Sequence, residues 1–178
     1  MSIGRLFGLA TLLCLTTTSV AEEVPAAYRR TAVIYGIPAD IFYAIALTES
    51  GRTVDSMVKP WPWTLNIEGE GAYFINRRTA WQAAVTAILD GKLSVDLGPM
   101  QVNWRYHRSR LRTPWRALDP SRNLLIAAEI LAYCYQRHQD WWQSVGCYHA
   151  PSDAARAARY TERVRTAWAA LANGKREP

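Results

Sequence analysis

From residue 24 onward, apolar positions recur mostly at intervals of three and four residues, which is the period of an amphipathic helix. Gly36, Gly51 and Gly91 each follow such a segment, and glycine commonly ends a helix. Pro38 suits the first turn of the second segment, because the amides of a first turn have no acceptor within the helix and proline lacks only such an amide. Asp40 suits the same turn because this end of a helix is positive. The pattern predicts a mainly α-helical chain, with helices at residues 24–35, 38–50, 78–90, 121–139, 141–148 and 152–173.

Two stretches lack this helical period. Residues 59–74 combine early prolines with a Glu-Gly-Glu-Gly turn between flanks of alternating apolar character, which predicts a loop leading into a small hairpin. Residues 94–104 are predicted to be irregular. The chain has 178 residues and shows no internal repeat, low-complexity linker or domain boundary. Residues 22–178 are therefore predicted to form one compact domain.

The start of the chain has the order of a secretory signal peptide, assigned to residues 1–21. Arg5 supplies the positive end, and residues 6–15 form an apolar run too short for a stable membrane anchor. Small residues precede Glu22, so we expect cleavage before it. Retention of the segment as an anchor is the alternative. Cys14 is not expected to carry a lipid, and no later segment is long and apolar enough to span a membrane.

Removal of the signal peptide would leave two cysteines, Cys134 and Cys147. An even number of cysteines in an exported chain favours a disulfide, because the compartment is oxidising. A zinc site is the competing interpretation, but His107, His138 and His149 do not stand at zinc-ligand spacing from the cysteines. We therefore predict a disulfide between Cys134 and Cys147 and no metal site.

The formal net charge of +6 admits two interpretations. A basic exported protein favours an anionic partner, such as nucleic acid, a membrane surface or an acidic cell-wall polymer. Alternatively, the many arginines after residue 150 only keep helix faces solvated. No nucleic-acid recognition motif accompanies the charge, so specific nucleic-acid binding is not expected.

The stretch IALTESGR, residues 45–52, places Glu49 at the end of an apolar helix. The carboxyl end of a helix is negative, and apolar neighbours disfavour a charged carboxylate. Both effects raise the pKa of Glu49, which suits a residue that must deliver a proton. The alternative is a solvated glutamate with no chemical role.

Four short motifs stand in order along the chain: ESG at 49–51, GPMQV at 98–102, CYHAP at 147–151 and RYTERV at 159–164. Together they resemble the motifs of the soluble lytic transglycosylase (SLT) domain family, over roughly residues 28–165. The stretches PWPWTLN, DLGPMQVNW and CYHAP are closer in appearance to members associated with conjugative transfer systems. Pro99 replaces a usual leucine, and His149-Ala150-Pro151 replaces the usual Asn-Ala-Gly.

The resemblance implies a lysozyme-like, mainly α domain with a small irregular or hairpin region beside the substrate cleft. It implies a periplasmic enzyme that cleaves the β-1,4 bond between N-acetylmuramic acid (MurNAc) and N-acetylglucosamine (GlcNAc) in peptidoglycan and forms 1,6-anhydro-MurNAc. No cofactor is expected. The expected partners are glycan strands and, beyond them, components of a conjugation or secretion apparatus.

Carried onto this sequence, the resemblance makes Glu49 the general acid. The substrate-binding residues it implies are Ser50, Gly98, Met100, Gln101, Tyr148 and Tyr160. All of them except Gly98 have a structural alternative: a helix-end contact for the serine, core packing for the methionine, loop scaffolding for the glutamine and buried aromatic packing for the tyrosines. Among the tryptophans, Trp61 and Trp63 are expected to line the cleft, and Trp141 and Trp142 to pack in the core.

Two rival functions remain open. A hydrolytic muramidase needs a second carboxylate, and Asp96 is the best placed because it lies two residues before Gly98. Glu68 and Glu70 lie in a predicted turn, where acidic residues are ordinarily solvated. The other rival is a non-catalytic wall-binding or assembly subunit that kept the fold.

Overall fold

A computed structural model describes residues 23–174, so the predicted signal peptide and its cleavage site before Glu22 lie outside the described residues. Eight helices hold most of this part of the chain, and the mainly α prediction is confirmed. The helices are α1 (Ala26–Ile34), α2 (Ala39–Ser50), α3 (Arg77–Leu89), α4 (Trp104–Leu111), α5 (Pro114–Ala117), α6 (Pro120–His138), α7 (Trp141–His149) and α8 (Ala154–Gly174).

All six predicted helices are present, but the pattern does not predict α4 and α5. The α4 sequence WRYHRSRL buries only Leu111, so no apolar stripe marks it. It starts where the Asn103 side chain accepts a hydrogen bond from the Tyr106 amide at 3.3 Å. Thr113 caps α5 by accepting one from the Arg116 amide at 3.1 Å. These two helices depend on side-chain caps more than on periodic apolar positions.

The strands within the described residues form two antiparallel sheets. β1 (Gly51–Val54) and β2 (Met57–Pro60) make a hairpin directly after α2. The larger sheet has the order β4-β3-β5-β6. Its strands are β3 (Thr64–Ile67), β4 (Glu70–Tyr73), β5 (Val95–Leu97) and β6 (Val102–Asn103). The predicted small hairpin is confirmed as β3 and β4.

The expectation that residues 94–104 are irregular is wrong, since β5, β6 and the first residue of α4 lie there. β5 and β6 have three and two residues, which is too short for a period of two to be recognised. β5 is placed by its pairing with β3, in which Leu65 lies opposite Leu97. That pairing is a long-range contact, and local sequence does not encode it.

Gly51 ends α2 as predicted, but not through the left-handed backbone that glycine often adopts at this point. Its φ is −57° and its ψ is 126°, and the chain continues at once into β1. A Cβ at this position would lie 2.3 Å from the Leu47 carbonyl oxygen, so only glycine permits the close approach. The sharp turn leaves Glu49 and Ser50 at the junction of helix and hairpin.

α2 is the central helix of the domain. Phe42, Ala44, Ile45 and Ala46 have no exposed surface, and the helix packs against α1, α8 and β2. Burial of a large apolar side chain such as Phe42 contributes about 1.5–3 kcal/mol. The last turn of α2, which carries Glu49, is therefore attached to a well-packed helix.

The predicted disulfide is confirmed between Cys134 on α6 and Cys147 on α7, with Cα atoms 5.9 Å apart. Gln139 ends α6 in a left-handed conformation, and the Asp140 side chain caps α7 by accepting from the Gln143 amide at 2.8 Å. The chain thus reverses, and α7 packs on α6. On the chain-entropy model, closing a loop of this size contributes roughly 3 kcal/mol to stability.

Within residues 23–174, no helix combines the length and apolar character that crossing a membrane requires. In the same part of the chain, His, Cys, Asp and Glu side chains do not gather in groups of three that could hold a metal ion.

Candidate active site

Glu49 lies in the last turn of α2 with 14% of its side chain exposed, so its carboxyl is largely buried but still reaches the surface. Its Oε1 accepts a hydrogen bond from the Tyr160 hydroxyl at 2.6 Å and lies 3.9 Å from Nδ1 of His149. Tyr160 comes from α8 and His149 from the end of α7. Side chains from α7 and α8, which lie far from α2 in sequence, thus converge on one carboxyl group.

The pKa of Glu49 is raised to about 7. Burial is the largest cause, because a desolvated carboxylate is unfavourable. The Tyr160 hydrogen bond opposes the shift, the negative charge of Asp96 adds to it, and the positive charge of Arg163 opposes it. The direction agrees with the expectation from sequence. Near neutral pH the group can therefore both give up and take back a proton.

The glycan cleavage that the sequence resemblance implies is expected to fall above about pH 7, because a general acid must be protonated and the pKa of Glu49 is about 7. Well above that value, kcat/KM should drop about tenfold for each pH unit. Initial rates on purified peptidoglycan, measured across this range with circular dichroism as a check on folding, would show it. A rate that kept rising through pH 9 in folded protein would contradict the assignment.

Tyr160 is 2% exposed, and its pKa is raised well above the ordinary value, first by burial and then by the charge of Glu49. Its hydroxyl therefore stays protonated and donates to the carboxyl group. The His149 ring lies parallel to the Tyr160 ring, with centroids 4.2 Å apart. The pKa of His149 is lowered by burial and by the positive charges of Arg156 and Arg163, so its ring is uncharged at neutral pH.

Ser50 and Tyr148 fix the carbonyl groups of the 98–101 loop beside Glu49. The Ser50 hydroxyl donates to the Pro99 carbonyl, and the Tyr148 hydroxyl donates to the Met100 carbonyl, both at 2.7 Å. Ser50 has no exposed surface. Both side chains position the loop in this structure, and their contact with substrate stays a prediction.

Met100 and Gln101 also make structural contacts. Met100 is fully buried. Gln101 has a positive φ of 46°, and its Nε2 donates to the carbonyl oxygens of Gly98 at 2.8 Å and Thr64 at 3.1 Å. These contacts are the ones expected from the structural alternatives, which are core packing for Met100 and loop scaffolding for Gln101. Their role in binding substrate stays a prediction.

Asn123 on α6 is the main support of this loop that sequence reasoning missed. It is fully buried, its amide donates to the Leu97 carbonyl at 2.8 Å and the Ala117 carbonyl at 3.0 Å, and its Oδ1 accepts from the Met100 amide at 2.9 Å. A signal was present in the sequence, since the asparagine occupies a position of the buried stripe of α6. A buried polar side chain in an apolar stripe must find partners, and it finds them in the loop.

Gly98 fits closely against this asparagine. A Cβ on Gly98 would lie 2.7 Å from Asn123 Nδ2, and its φ is +78°. Both the space and the backbone conformation therefore require glycine. The predicted role of Gly98 in binding substrate is not tested by this contact.

Asp96 on β5 is the second carboxyl group with an influence on Glu49. Its Oδ1 accepts a hydrogen bond from Asn103 Nδ2 at 2.7 Å, and burial raises its pKa. Glu68 instead pairs with Lys92 at 2.9 Å on the exposed β3–β4 turn, and Glu70 is exposed.

Trp61 and Trp63 lie on the segment that follows β2 and are each partly exposed. The Trp61 backbone amide donates to the Ser50 carbonyl at 2.9 Å, which holds the Trp61 backbone next to the end of α2. Arg52 places its guanidinium 4.6 Å from the Trp61 ring centroid. The lining role of these rings stays a prediction.

Trp141 and Trp142 pack as predicted, the first stacked on Tyr135 with centroids 3.9 Å apart and the second edge-on to Trp168 at 5.6 Å.

A comparison with protein families matches residues 27–170 to the transglycosylase SLT domain. The match includes Glu49 and every residue described above as its neighbour. Comparisons with curated proteins and with solved structures find no match. Members of the family are generally lytic transglycosylases that act on peptidoglycan. Since the match covers most of the sequence and the fold is mainly α with small antiparallel sheets, this chain belongs to the transglycosylase SLT domain family.

Proposed function

We propose that this protein is a lytic transglycosylase that cleaves the bond from MurNAc to GlcNAc and leaves a 1,6-anhydro-MurNAc end. The observation that carries the proposal is Glu49, a largely buried carboxyl group with a pKa of about 7 and a neutral tyrosine hydroxyl donating to it. Such a group is protonated in a substantial fraction of molecules at neutral pH. It can therefore act as an acid and then as a base within one turnover.

In the proposed reaction, protonated Glu49 gives its proton to the glycosidic oxygen, and the bond between that oxygen and C1 of MurNAc breaks. The 6-hydroxyl oxygen of the same MurNAc bonds to C1, and its proton passes to the Glu49 carboxylate. The carboxyl group is thereby restored, and no water is consumed. Ring closure within one sugar is favoured over attack by water because no second molecule has to be positioned.

Tyr160 supports this cycle as a positioning residue. Its hydroxyl donates to Oε1 of Glu49 at 2.6 Å, so it stabilises the carboxylate that exists between the two proton transfers. Because the hydroxyl is buried and its pKa is raised, it does not compete as an acid at neutral pH.

The product provides the test. Purified peptidoglycan treated with the protein is expected to release muropeptides with anhydro ends, each one water lighter than a hydrolytic product, as measured by mass spectrometry. Asp96→Asn is expected to slow the release only in part, because the proposed reaction uses one carboxyl group. Reducing MurNAc ends as the main product would contradict the proposal.

A hydrolytic muramidase is the second candidate, and Asp96 is the observation that favours it. Its negative charge helps to raise the pKa of Glu49, and most glycoside hydrolases use a pair of carboxyl groups that flank the scissile bond. Two results together would support this candidate: an Asp96→Asn variant that is folded but inactive, and reducing-end products from the wild type.

We also propose export to the periplasm and local opening of the wall for a conjugation or secretion apparatus. The resemblance of PWPWTLN, DLGPMQVNW and CYHAP to conjugation-associated members supports the second part. Export predicts that protein from the cell envelope begins at Glu22, which N-terminal sequencing can measure. A start at Met1 in that fraction would contradict it.

A further inference from the structure

A cleft of about 220 Å³ lies where the carboxyl end of α1, the helices α4 and α5, and the first half of α6 meet. Three arginines line this arginine cleft: Arg110 from α4, Arg116 from α5 and Arg122 from the first turn of α6. Leu111, which has no exposed surface, contributes to its apolar wall. The residues that line the cleft do not include Glu49 or any neighbour of it described above, so the proposed reaction does not use it.

The arginine cleft carries an excess of positive charge. Glu129 also lines it and pairs with Arg110 at 3.0 Å. Arg116 and Arg122 are exposed, and neither has a carboxylate of the described residues within 4.0 Å. A guanidinium group presents several donors in a planar fork that matches phosphate oxygens, so two such groups without counter-ions are suited to bind a phosphate. The space is sufficient, since a water molecule takes up only about 30 Å³ of the liquid.

Exposed apolar side chains stand beside the arginine cleft on two helices. Val33 and Ile34, which are 78% and 68% exposed, immediately precede Tyr35, and Tyr35 lines the cleft. On α6, the exposed Tyr133 stands four residues after Glu129 and therefore on the same face of the helix. Since α1 packs against α6, these side chains and the cleft belong to one surface. Such a combination fits a bilayer surface, where basic groups meet lipid phosphates and apolar side chains enter the acyl boundary.

We propose that this surface binds an anionic lipid bilayer, with Arg116 and Arg122 pairing with headgroup phosphates and the side chains of Val33 and Ile34 entering the acyl boundary. A free phosphate or a phosphate-bearing polymer would pair with the arginines but would leave the apolar side chains in water. A bilayer is the partner that engages both. A membrane surface is also one of the anionic partners that the net charge of +6 favours, and the cleft gives that charge a specific place to act.

Vesicle binding by the protein purified from the cell envelope tests the proposal without relying on catalysis. One set of vesicles contains equal amounts of phosphatidylglycerol and phosphatidylcholine, and the other contains phosphatidylcholine alone. Cosedimentation at low salt is expected to show binding to the anionic vesicles, and added salt should weaken it because the arginines are exposed. Equal binding to both sets, or undetectable binding to the anionic set, would overturn the proposal.

Arg116→Gln and Arg122→Gln are each expected to weaken binding to the anionic vesicles roughly fivefold, and the double variant roughly 25-fold, because an arginine near an anionic surface contributes about 1 kcal/mol. The matched control is the double variant Arg78→Gln/Arg159→Gln. It removes the same charge from exposed positions on α3 and α8, where neither arginine has a carboxylate of the described residues within 4.0 Å. The control is expected to bind nearly as the wild type does. An equal loss in the two double variants would overturn the assignment to the arginine cleft.

The double variant Val33→Ser/Ile34→Ser separates a bilayer from other sources of phosphate. It is expected to weaken binding to the anionic vesicles roughly tenfold, because these exposed side chains are buried only when they enter the bilayer. Inorganic phosphate at the concentration of the lipid phosphate should not displace the wild type from the vesicles. Binding that is unchanged in this variant, or that inorganic phosphate abolishes at that concentration, would overturn the membrane assignment in favour of a soluble phosphate. Circular dichroism of each variant checks that it is folded.

Discussion

Glu49→Gln is expected to lower the rate of glycan cleavage by a factor of at least about 100 to 10,000 while the protein stays folded. The amide keeps the size and shape of the carboxyl group, and its oxygen can still accept from the Tyr160 hydroxyl. It cannot give up a proton as an acid or take one as a base. Because Glu49 is proposed to do both, the loss should lie at the upper end of this range. Muropeptide release and circular dichroism, followed on the same preparation, measure it.

The same substitution is expected to stabilise the protein at high pH. The pKa of Glu49 is about 7 in the folded protein, against an ordinary value of 4.5, so the fold favours the protonated form. Wild-type stability from this group is therefore complete below about pH 4.5 and is lost as the pH rises to about 7. Glutamine does not titrate. The variant should gain roughly 3 kcal/mol in unfolding free energy above that window and almost nothing below it.

Glu70→Gln is the matched control, since it makes the same chemical change at an exposed position on β4. It is expected to cleave at the wild-type rate and to show no gain in stability at high pH. Normal cleavage by folded Glu49→Gln would show that Glu49 is not the acid and would favour the non-catalytic interpretation of the chain.

Asn123→Leu is expected to destabilise the fold by roughly 3–5 kcal/mol, because three buried backbone groups lose their hydrogen-bond partner at once. These groups are the Met100 amide and the carbonyls of Leu97 and Ala117. Leucine fills the space, so water cannot easily replace the amide. The 98–101 loop also loses its support beside Ser50, so the cleavage rate of the folded fraction should fall. Urea unfolding and muropeptide release measure the two effects.

Asn76→Ala is a suitable control for this substitution. Asn76 caps α3 from an exposed position by accepting from the Thr79 amide at 3.0 Å. Loss of an exposed cap typically costs about 1 kcal/mol, and this one is not in contact with the 98–101 loop. A loss below 1 kcal/mol for Asn123→Leu, equal to that of the control, would mean that the buried hydrogen bonds contribute little net stability.

Local sequence determined the helices that have a continuous apolar stripe. α2, α6 and α8 were predictable because their buried side chains recur at the helical period, and the Asp153 side chain caps α8 by accepting from the Arg156 amide at 2.9 Å. The β3–β4 turn was predictable because glycine stands where φ is positive. The disulfide followed from the number of cysteines in a chain that is predicted to be exported.

The identity of the candidate acid and the direction of its pKa shift were also predicted from the sequence. An apolar helix that ends in Glu49 was enough to predict a raised pKa, because the helix end and its neighbours disfavour a charged carboxylate. The size of this pKa shift could not be predicted from the sequence. Burial is its largest cause, and burial depends on which elements pack over the helix end.

Only the tertiary structure decided the surroundings of that acid. Tyr160 lies 111 residues after Glu49 in sequence, yet its hydroxyl reaches Oε1, and His149 stacks on it from another helix. Asn123 supports the 98–101 loop from α6. The period of apolar residues shows which face of a helix is buried but not which neighbour covers it. The sequence therefore determined a helical domain and a candidate acid at a helix end, and the packing of α8 against α2 and α7 decided the partners and the desolvation of that carboxyl group.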